Sequence, residues 1–343
     1  MGTAGIKIVE LSRRGGDRFD LKNYGILDLV SKDESSPKLG DQILISGLKE
    51  LLAKSKFSNK DAIASISSFL TFATVIELPY FSEKDLEKAI PFEARKYVPI
   101  PLQEVVLDWS IINVKENADS RSQSDRGSST GSGHPNVEVF LAAVPKDEAE
   151  RYKNIFLAAG LNLKALELEN IALSRVLIGE EKAPLVIVNL GGRSTSIVII
   201  DRGFERISRN YELGGFELTK ALSKALGISF ERAEQMKKTE GLKDKSVSLS
   251  DALIPLIDLI VFETKKIISN YEENKNIKIG KIILTGGQAN MPGLKEYFSS
   301  QLARETVIGD PWRRISFNKA LEPVLKILSP SLTVALGLGM RKI

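Results

Sequence analysis

The sequence predicts an α/β fold of two similar halves that hold a ligand between them. In the stretch 184–201, two β-branched runs flank Gly191-Gly192, a pattern typical of a β-hairpin. A similar pattern occurs at 2–11, where a small-residue turn leads into another β-branched run. A third glycine pair, Gly286-Gly287, ends a strand at 281–285 and leads to a helix at 292–302. Hairpins repeated half a chain apart indicate a duplicated fold.

The elements of the first 160 residues follow from local patterns. Apolar residues at helical spacing predict a helix over 40–54, and β-branched runs predict strands at 6–11, 19–29, 63–67 and 72–78. Ser82 is expected to cap a helix that has Asp85 at its third position, and Pro91 is expected to kink it or end its first part. Then come strands at 105–114 and 137–144 and a helix at 147–159, which Gly160 closes. The Ser-, Gly- and Arg-rich stretch 117–136 predicts a mobile hairpin loop.

The second half of the chain continues the alternation. We expect a strand and a helix over 163–178, a crossover at 180–184, and helices at 216–226 and 230–238. Gly227 should end the first of these helices, and Ser229 should cap the second. A long amphipathic helix is predicted over 249–270, with Ser250 as its N-cap and Pro255 in its interior or at a break. The last helix is predicted at 332–340.

The central hairpin has the features of a phosphate-binding turn. Glycines let backbone N–H groups approach a bound oxyanion, and Ser194 and Thr195 add hydroxyl groups at the same tip. A P-loop would need a helix after the turn, whereas this chain returns directly into a strand.

The three glycine segments resemble the two phosphate loops and the adenosine loop of the actin-like ATPase superfamily. Within it the chain resembles the PilM family, which is related to FtsA. This family acts in type IV pilus assembly, the machinery of twitching motility. The resemblance runs nearly end to end. It is most specific at 77–86 (ELPYFSEKDL), 92–101 (FEARKYVPIP), 142–146 (AAVPK) and 212–219 (ELGGFELT).

The resemblance implies an actin-like (ribonuclease H-like) two-domain fold with an inserted α+β subdomain 1C (SHS2-like). Domain 1A would take 1–78, 161–183 and 319–343, and subdomain 1C would take 79–160. Domain 2A would take 184–210 and 249–318, and subdomain 2B would take 211–248.

The resemblance also implies that ATP and Mg²⁺ are the cofactors. The residues that would bind nucleotide are Gly2, Thr3, Ala4, Gly5, Lys7, Gly191, Gly192, Arg193, Ser194, Thr195, Gly214, Gly215, Glu217, Lys220, Gly286, Gly287 and Gln288. Lys7 matches the family's phosphate-contacting basic residue, but as a lone lysine it would be an ordinary surface residue. Glu217 and Lys220 would contact ribose or adenine, although a helix N-terminus and a turn would explain these segments equally well.

The phosphate loops depart from the superfamily pattern in two places. The usual Asp of the second loop is Asn189, which could contact Mg²⁺ only weakly, through water, because it carries no charge. In the first loop the Asp and most of its strand are missing, because the sequence begins Met1-Gly2. We expect either a trimmed or late-assigned N-terminus or a tolerated loss, with weakened ATP binding, reduced stability and no fast hydrolysis. No catalytic residue is identified.

Composition excludes several other classes of site. The chain has no Cys and a single His, so disulfides, thiolate zinc sites and His-based triads are not expected. With 48 basic and 44 acidic residues, its net charge of +4 is spread along the sequence and does not predict nucleic-acid binding. No signal peptide or membrane-spanning run is apparent, so we expect a cytoplasmic protein without direct membrane insertion.

The resemblance implies a partner, the N-terminal cytoplasmic peptide of a PilN-like inner-membrane protein, which would hold the chain at the membrane periphery. Tyr80, Phe92 and Tyr97 could line its groove, or they could be core residues. Pilus motor ATPases and self-association are further possible contacts implied by the resemblance. The alternatives are an FtsA-type cell-division filament protein, a small-molecule kinase, and a pseudo-ATPase adaptor without nucleotide.

Overall fold

The computed structural model describes residues 5–29, 40–79, 82–115, 136–179, 181–243 and 247–342. The chain divides into a larger unit, residues 1–68 and 153–343, and a smaller unit, residues 69–152. The expected 117–136 loop lies outside the described residues, apart from its last residue.

The larger unit is built on a mixed five-stranded sheet in the order β10-β9-β8-β11-β12. Its strands are β8 (Leu185–Leu190), β9 (Thr195–Asp201), β10 (Phe204–Tyr211), β11 (Lys281–Thr285) and β12 (Glu305–Ile308). β8 and β9 form the predicted antiparallel hairpin, in which Leu190 lies opposite Thr195. β11 runs parallel to both β8 and β12. The edge strands β10 and β12 lie outside the predicted strands, because β10 is mostly polar and β12 has only four residues.

Helices cover both faces of this sheet, because β8 and β9 are apolar on both sides. Val186, Val188, Ile197 and Ile199 pack on one face with α5 (Gly215–Leu226), α7 (Val247–Lys275) and α8 (Leu294–Leu302). Leu185, Ile187, Val198 and Ile200 pack on the other face with α4 (Glu169–Leu177) and α9 (Glu322–Gly339). Helix α6 (Phe230–Thr239) has the predicted N-cap, Ser229, whose side chain accepts a hydrogen bond from Arg232 N–H.

Two smaller sheets complete the larger unit. β1 (Gly5–Gly15), β2 (Arg18–Asp28) and β13 (Ile315–Ser316) form one, and β3 (Asp61–Ile66) and β7 (Asn162–Leu168) form the other. Helix α1 (Asp41–Ser55) confirms the helix predicted at 40–54. Trp312, just before β13, packs edge-on against Phe317, with ring centroids 4.9 Å apart. Within the described residues no strand joins β1 to β3.

The smaller unit contains a three-stranded antiparallel sheet in the order β4-β6-β5. Its strands are β4 (Phe72–Pro79), β5 (Val105–Lys115) and β6 (Asn136–Pro145), and its helices are α2 (Glu83–Ala94) and the start of α3 (Lys146–Ala158). Leu86, Ile90 and Ala94 of α2 are buried against this sheet, and Trp109 of β5 packs at the edge of the same core.

Three predicted details are wrong, and one of the two alternatives for Pro91 is excluded. The strand at 72–78 was assigned to the first domain, but it pairs with β6 because Ile76 and Leu78 belong to the smaller unit's core. Ser250 is not an N-cap, since α7 begins three residues earlier. Helix α2 does not end at Pro91, because the buried Ile90 and Ala94 hold the next turn in place. The last helix begins at Glu322 and continues through Pro330. The finer domain boundaries stay predictions.

Candidate functional site

The tip of the β8–β9 hairpin is a tight backbone cradle. Gly191 N–H donates to Ser194 O at 2.9 Å, and a Cβ on Gly191 would stand 2.8 Å from that same oxygen. No partner within the described residues accepts the N–H groups of Gly192 and Ser194. Such exposed amides are what an oxyanion binds. Thr195 differs from our expectation: it is fully buried and donates its hydroxyl to Leu213 O at 2.6 Å, so it anchors the hairpin and offers no donor to a ligand.

The first turn of α5 is bonded to the hairpin tip. Gly215 N–H donates to Gly191 O at 3.0 Å, and Phe216 N–H donates to Gly192 O at 2.7 Å. A Cβ on Gly214 would lie 2.8 Å from the backbone of Gly192, so only glycine allows this approach. The segment predicted to hold ribose and adenine thus meets the predicted phosphate loop directly.

Three polar side chains near this turn were predicted to touch nucleotide. Glu217 accepts Gly214 N–H at 2.9 Å, so one of its oxygens completes the start of the helix. Lys220 is exposed one turn later. The guanidinium of Arg193 lies 4.5 Å from the centre of the Phe216 ring, a cation–π contact that directs it towards α5.

The third glycine loop contacts the same hairpin. Gln288 N–H donates to Leu190 O at 3.2 Å, and Gly286 N–H donates to Pro330 O of α9 at 3.1 Å. Gly286 has a φ of +87°, and a Cβ there would lie 2.6 Å from Asn189 Oδ1, so glycine is required on both counts. The structure therefore brings the second and third loops together at the carboxyl ends of β8 and β11.

The first loop is only partly visible. Gly2, Thr3 and Ala4 lie outside the described residues. Gly5 is buried against β2, where a Cβ would lie 2.6 Å from Leu27 O. Lys7 is half-buried; burial lowers the pKa of its ammonium group, while the carboxylates of Asp28 and Glu169 act against that shift. Lys7 is thus held among protein groups and is not an ordinary surface lysine.

Glu169 is a site residue that the sequence analysis missed. It occupies the first turn of α4, and Asn189 donates a hydrogen bond to its carboxyl group. Burial raises the pKa of Glu169, and the positive charge of Lys7 and the Asn189 bond oppose the rise. A carboxyl group beside an amide and an ammonium group can order a water molecule or accept a proton. Its only sequence signal was an acidic residue at a helix start, which is common.

These residues fit a magnesium nucleotide in a limited way. The glycine cradle provides amide donors for phosphate, and Lys7 adds a positive charge. Mg²⁺ is commonly held by one or two carboxylates with phosphate oxygens and waters, and here Glu169 and Asn189 are the oxygen donors nearby. The described residues contain no cluster of three or more acidic or His side chains that could bind a metal unaided.

The predicted partner residues fall within residues 69–152, the smaller unit. Tyr80 lies outside the described residues. Phe92 is 66% exposed and Tyr97 is 43% exposed, so neither is a core residue. The guanidinium of Arg95 lies 5.3 Å from the centre of the Phe92 ring. Both rings are therefore exposed on the smaller unit.

Comparison with known proteins settles the family. The model of the family described as "Type IV pilus assembly protein PilM" matches residues 1–343, the whole chain. The chain belongs to the PilM family. It is therefore an actin-like protein of type IV pilus assembly, which confirms the resemblance seen in the sequence.

Solved structures agree with this fold. The PilM-PilN type IV pilus biogenesis complex aligns over 99% of this chain and 96% of that chain, with a TM-score of 0.81 and 23% identity. The ethanolamine utilization protein EutJ from Carboxydothermus hydrogenoformans aligns over 99% and 86%, with a TM-score of 0.56 and 18% identity. MreB 5 of Spiroplasma citri bound to AMPPNP aligns over 98% and 92%, with a TM-score of 0.53 and 14% identity. All three confirm the actin-like fold.

Among curated proteins, the cell division protein FtsA of Bacillus subtilis is 24% identical over 64% of this chain. The FtsA of Enterococcus faecalis is 25% identical over 44% of this chain. These matches span 54% and 39% of the two FtsA proteins, so this PilM-family chain covers about half their length or less.

In the described part of the chain, one segment, Lys319–Gly339, is long and apolar enough to span a membrane. It includes α9, in which Leu325, Leu332 and Leu336 have no exposed surface and pack in the core. A helix buried in a protein core can have the same length and apolar composition as a membrane-spanning helix.

Proposed function

We propose that this PilM-family chain is a scaffold that binds ATP-Mg²⁺ in the larger unit. One observation carries the proposal: the hairpin tip, the first turn of α5 and the Gly286 loop are hydrogen-bonded into one glycine-lined cradle. The nucleotide in the MreB 5 structure supports the choice of ligand, because that protein shares the fold.

Each group in the cradle has a physical role in this proposal. The Gly192 and Ser194 amides face phosphate oxygens, and Lys7 balances their charge. Lys220 and the free oxygen of Glu217 are on one face of α5, where they can contact the sugar or base. The bound ion would neutralise phosphate charge, with Glu169 and Asn189 contacting it directly or through water.

We further propose that the chain binds ATP but hydrolyses it slowly. Asn189 replaces the charged residue usual at this loop, which leaves Glu169 to order an attacking water. Because its pKa is raised, Glu169 is a better proton acceptor than an ordinary carboxylate when it is ionised. A single carboxylate that also faces Lys7 makes slow turnover the expected result.

The test is calorimetric titration of the chain with ATP-Mg²⁺. The parent should bind, and Lys7→Gln should lose about tenfold or more in affinity because a partly desolvated charge contact is removed. Lys22→Gln, on the exposed side of the neighbouring strand β2, is the matched control and should bind like the parent. Absence of binding by the parent would refute the proposal and leave a nucleotide-free adaptor.

We propose that the smaller unit receives the N-terminal peptide of a PilN-like inner-membrane protein. The exposed Phe92 and Tyr97 support this, because aromatic side chains often supply most of the binding energy at an interface. The PilM-PilN complex has the same overall fold, which supports the choice of partner. The chain would then be cytoplasmic and held at the inner membrane by that partner.

A fluorescence titration with a labelled PilN-like peptide tests this second step. Phe92→Ala with Tyr97→Ala should weaken binding by about 30-fold or more, since two aromatic contacts are removed. Leu157→Ala is the control, because Leu157 is equally exposed, at 68%, on α3 of the larger unit. Equal affinities of all three proteins would contradict the assignment of this surface.

A further inference from the structure

The fold gathers basic residues that are far apart in the sequence. Arg13, Arg14 and Arg18 surround the β1–β2 turn, which Gly15 and Gly16 form with φ values of +113° and +56°. Phe19 N–H donates to Arg314 O at 2.9 Å, which places Arg313 and Arg314 beside Arg18. Lys342 lies 3.8 Å from Asp17 in the same turn. We call this surface the basic end; its members are Arg13, Arg14, Arg18, Arg313, Arg341 and Lys342. Arg314 is not a member, because its guanidinium donates to Arg175 O and stays on the protein.

The acidic residues near the basic end neutralise little of its charge. Asp17 faces Lys342 with both side chains more than two-thirds exposed, and Asp20 faces Arg14 at 3.6 Å. Such long, hydrated pairs contribute little energy and leave the cations available. Arg13, Arg18 and Arg313 make no ion pair within the described residues.

The buried carboxylate near the basic end, Glu167, is already paired with an arginine. Glu167 is 6% exposed and forms a two-point ion pair with Arg175, one arm of which is 3.0 Å long. Arg341 adds a third contact to this carboxylate at 3.7 Å. Arg175 also donates to Gly337 O at 2.8 Å, so it stays on α4 and α9. The local excess of positive charge therefore persists, although the chain as a whole is nearly balanced.

The chemistry of the basic end selects its partner. Five of its six members are Arg, whose planar guanidinium binds phosphate oxygens in pairs. None of the segments 13–18, 313–314 and 341–342 carries an exposed large hydrophobic residue, so no apolar anchor is presented. A protein partner usually contributes buried apolar contacts at the centre of its interface. A dense layer of anionic headgroups needs only charge.

We propose that the basic end is a contact surface for an anionic phospholipid membrane. The contact is electrostatic and superficial, with no inserted segment. It goes beyond the proposed function, in which the PilN-like partner alone holds the chain at the membrane. It does not depend on nucleotide or peptide binding, so its test can fail while those proposals stand.

The test is sedimentation of the full chain with vesicles at about 50 mM salt. Vesicles of phosphatidylglycerol and phosphatidylethanolamine should bind the parent chain, and phosphatidylcholine vesicles should not. Each basic residue near an anionic bilayer contributes about fivefold to partition. Arg14→Gln with Arg18→Gln should therefore reduce binding roughly 30-fold. Raising the salt to about 300 mM should release the parent chain, because exposed charges are then screened.

The matched control removes the same charge elsewhere. Lys265→Gln with Lys275→Gln changes two exposed residues of α7, and it should bind anionic vesicles like the parent. Circular dichroism melts of both variants should match the parent, since all four side chains are exposed.

Three outcomes would overturn the proposal. The parent chain could fail to bind anionic vesicles, or the control variant could lose as much binding as the Arg14 and Arg18 variant. The parent could also bind poly-glutamate or duplex DNA at the same salt concentration without binding vesicles, which would assign the basic end to an acidic protein or a nucleic acid.

Discussion

The contact between α4 and α9 gives the sharpest stability prediction, through the substitution Gly337→Ala. A Cβ on Gly337 would lie 2.6 Å from the carbonyl carbon of Ala172 and nearer still to its oxygen. Ordinary contacts of a Cβ begin at 3.4 Å, so the two helices would have to separate by about 1 Å. Both helices are packed in the core by Leu173 and Leu336, which have no exposed surface. The added methyl group therefore cannot be relieved by a flexible side chain.

The magnitude follows from two opposing effects. Forcing a backbone shift in a packed core costs about 3 kcal/mol. Replacing glycine by alanine inside a helix returns about 1 kcal/mol. The net loss of about 2 kcal/mol should lower the melting temperature by about 4–8 °C.

The assay is thermal unfolding followed by circular dichroism at 222 nm. Gly280→Ala is the control, because a Cβ there meets nothing within 4 Å and its φ is not positive. The control should melt within about 2 °C of the parent, since it adds no clash. A Gly337→Ala protein as stable as the control would refute the reasoning, because the helices would then tolerate a side chain at their crossing.

Three further predictions concern buried and capping groups. Burial raises the pKa of Glu205 above its ordinary 4.5, so the folded chain holds this proton more tightly than the unfolded chain does. Its contribution to stability should fall as the pH rises from about 4.5 through the raised pKa; Glu205→Gln should melt higher than the parent at pH 8 and no higher at pH 4. Lys237→Met should lower the free energy of unfolding by about 3 kcal/mol in denaturant titrations, because the 1% exposed ammonium bonds Gly215 O, Thr219 Oγ1 and Glu234 Oε2. Ser82→Ala should cost about 1 kcal/mol by the same measurement, since it removes the bond to Asp85 N–H at 3.2 Å; unchanged stability would mean that this helix end frays.

Local signals in the sequence were enough for much of the fold. The Gly191-Gly192 turn between two apolar runs predicted the β8–β9 hairpin, and Ser82 and Ser229 predicted two helix starts, because caps and turns depend on neighbouring residues alone. The strand β4 shows the limit. Its pattern predicted a strand correctly, but which sheet it joins depends on β6, more than fifty residues away.

Some residues of the candidate site could be predicted from local sequence, and others could not. The glycines could be found because a close backbone approach restricts the residue type at that position. Glu169 could not be found from the sequence, because its proximity to Lys7 and Asn189 arises only when the strands and helix α4 pack together. The basic end could not be predicted either, because its arginines are spread over more than 300 residues of sequence.

The positions of the two tryptophans make the units separately observable. The chain has only Trp109, at the edge of the smaller unit's core, and Trp312, against Phe317 in the larger unit. Replacing either by phenylalanine leaves a single tryptophan in a known environment. The emission of each single-tryptophan protein would then report the order in which the two units lose their packing, and whether a ligand of one unit alters the surroundings of the other.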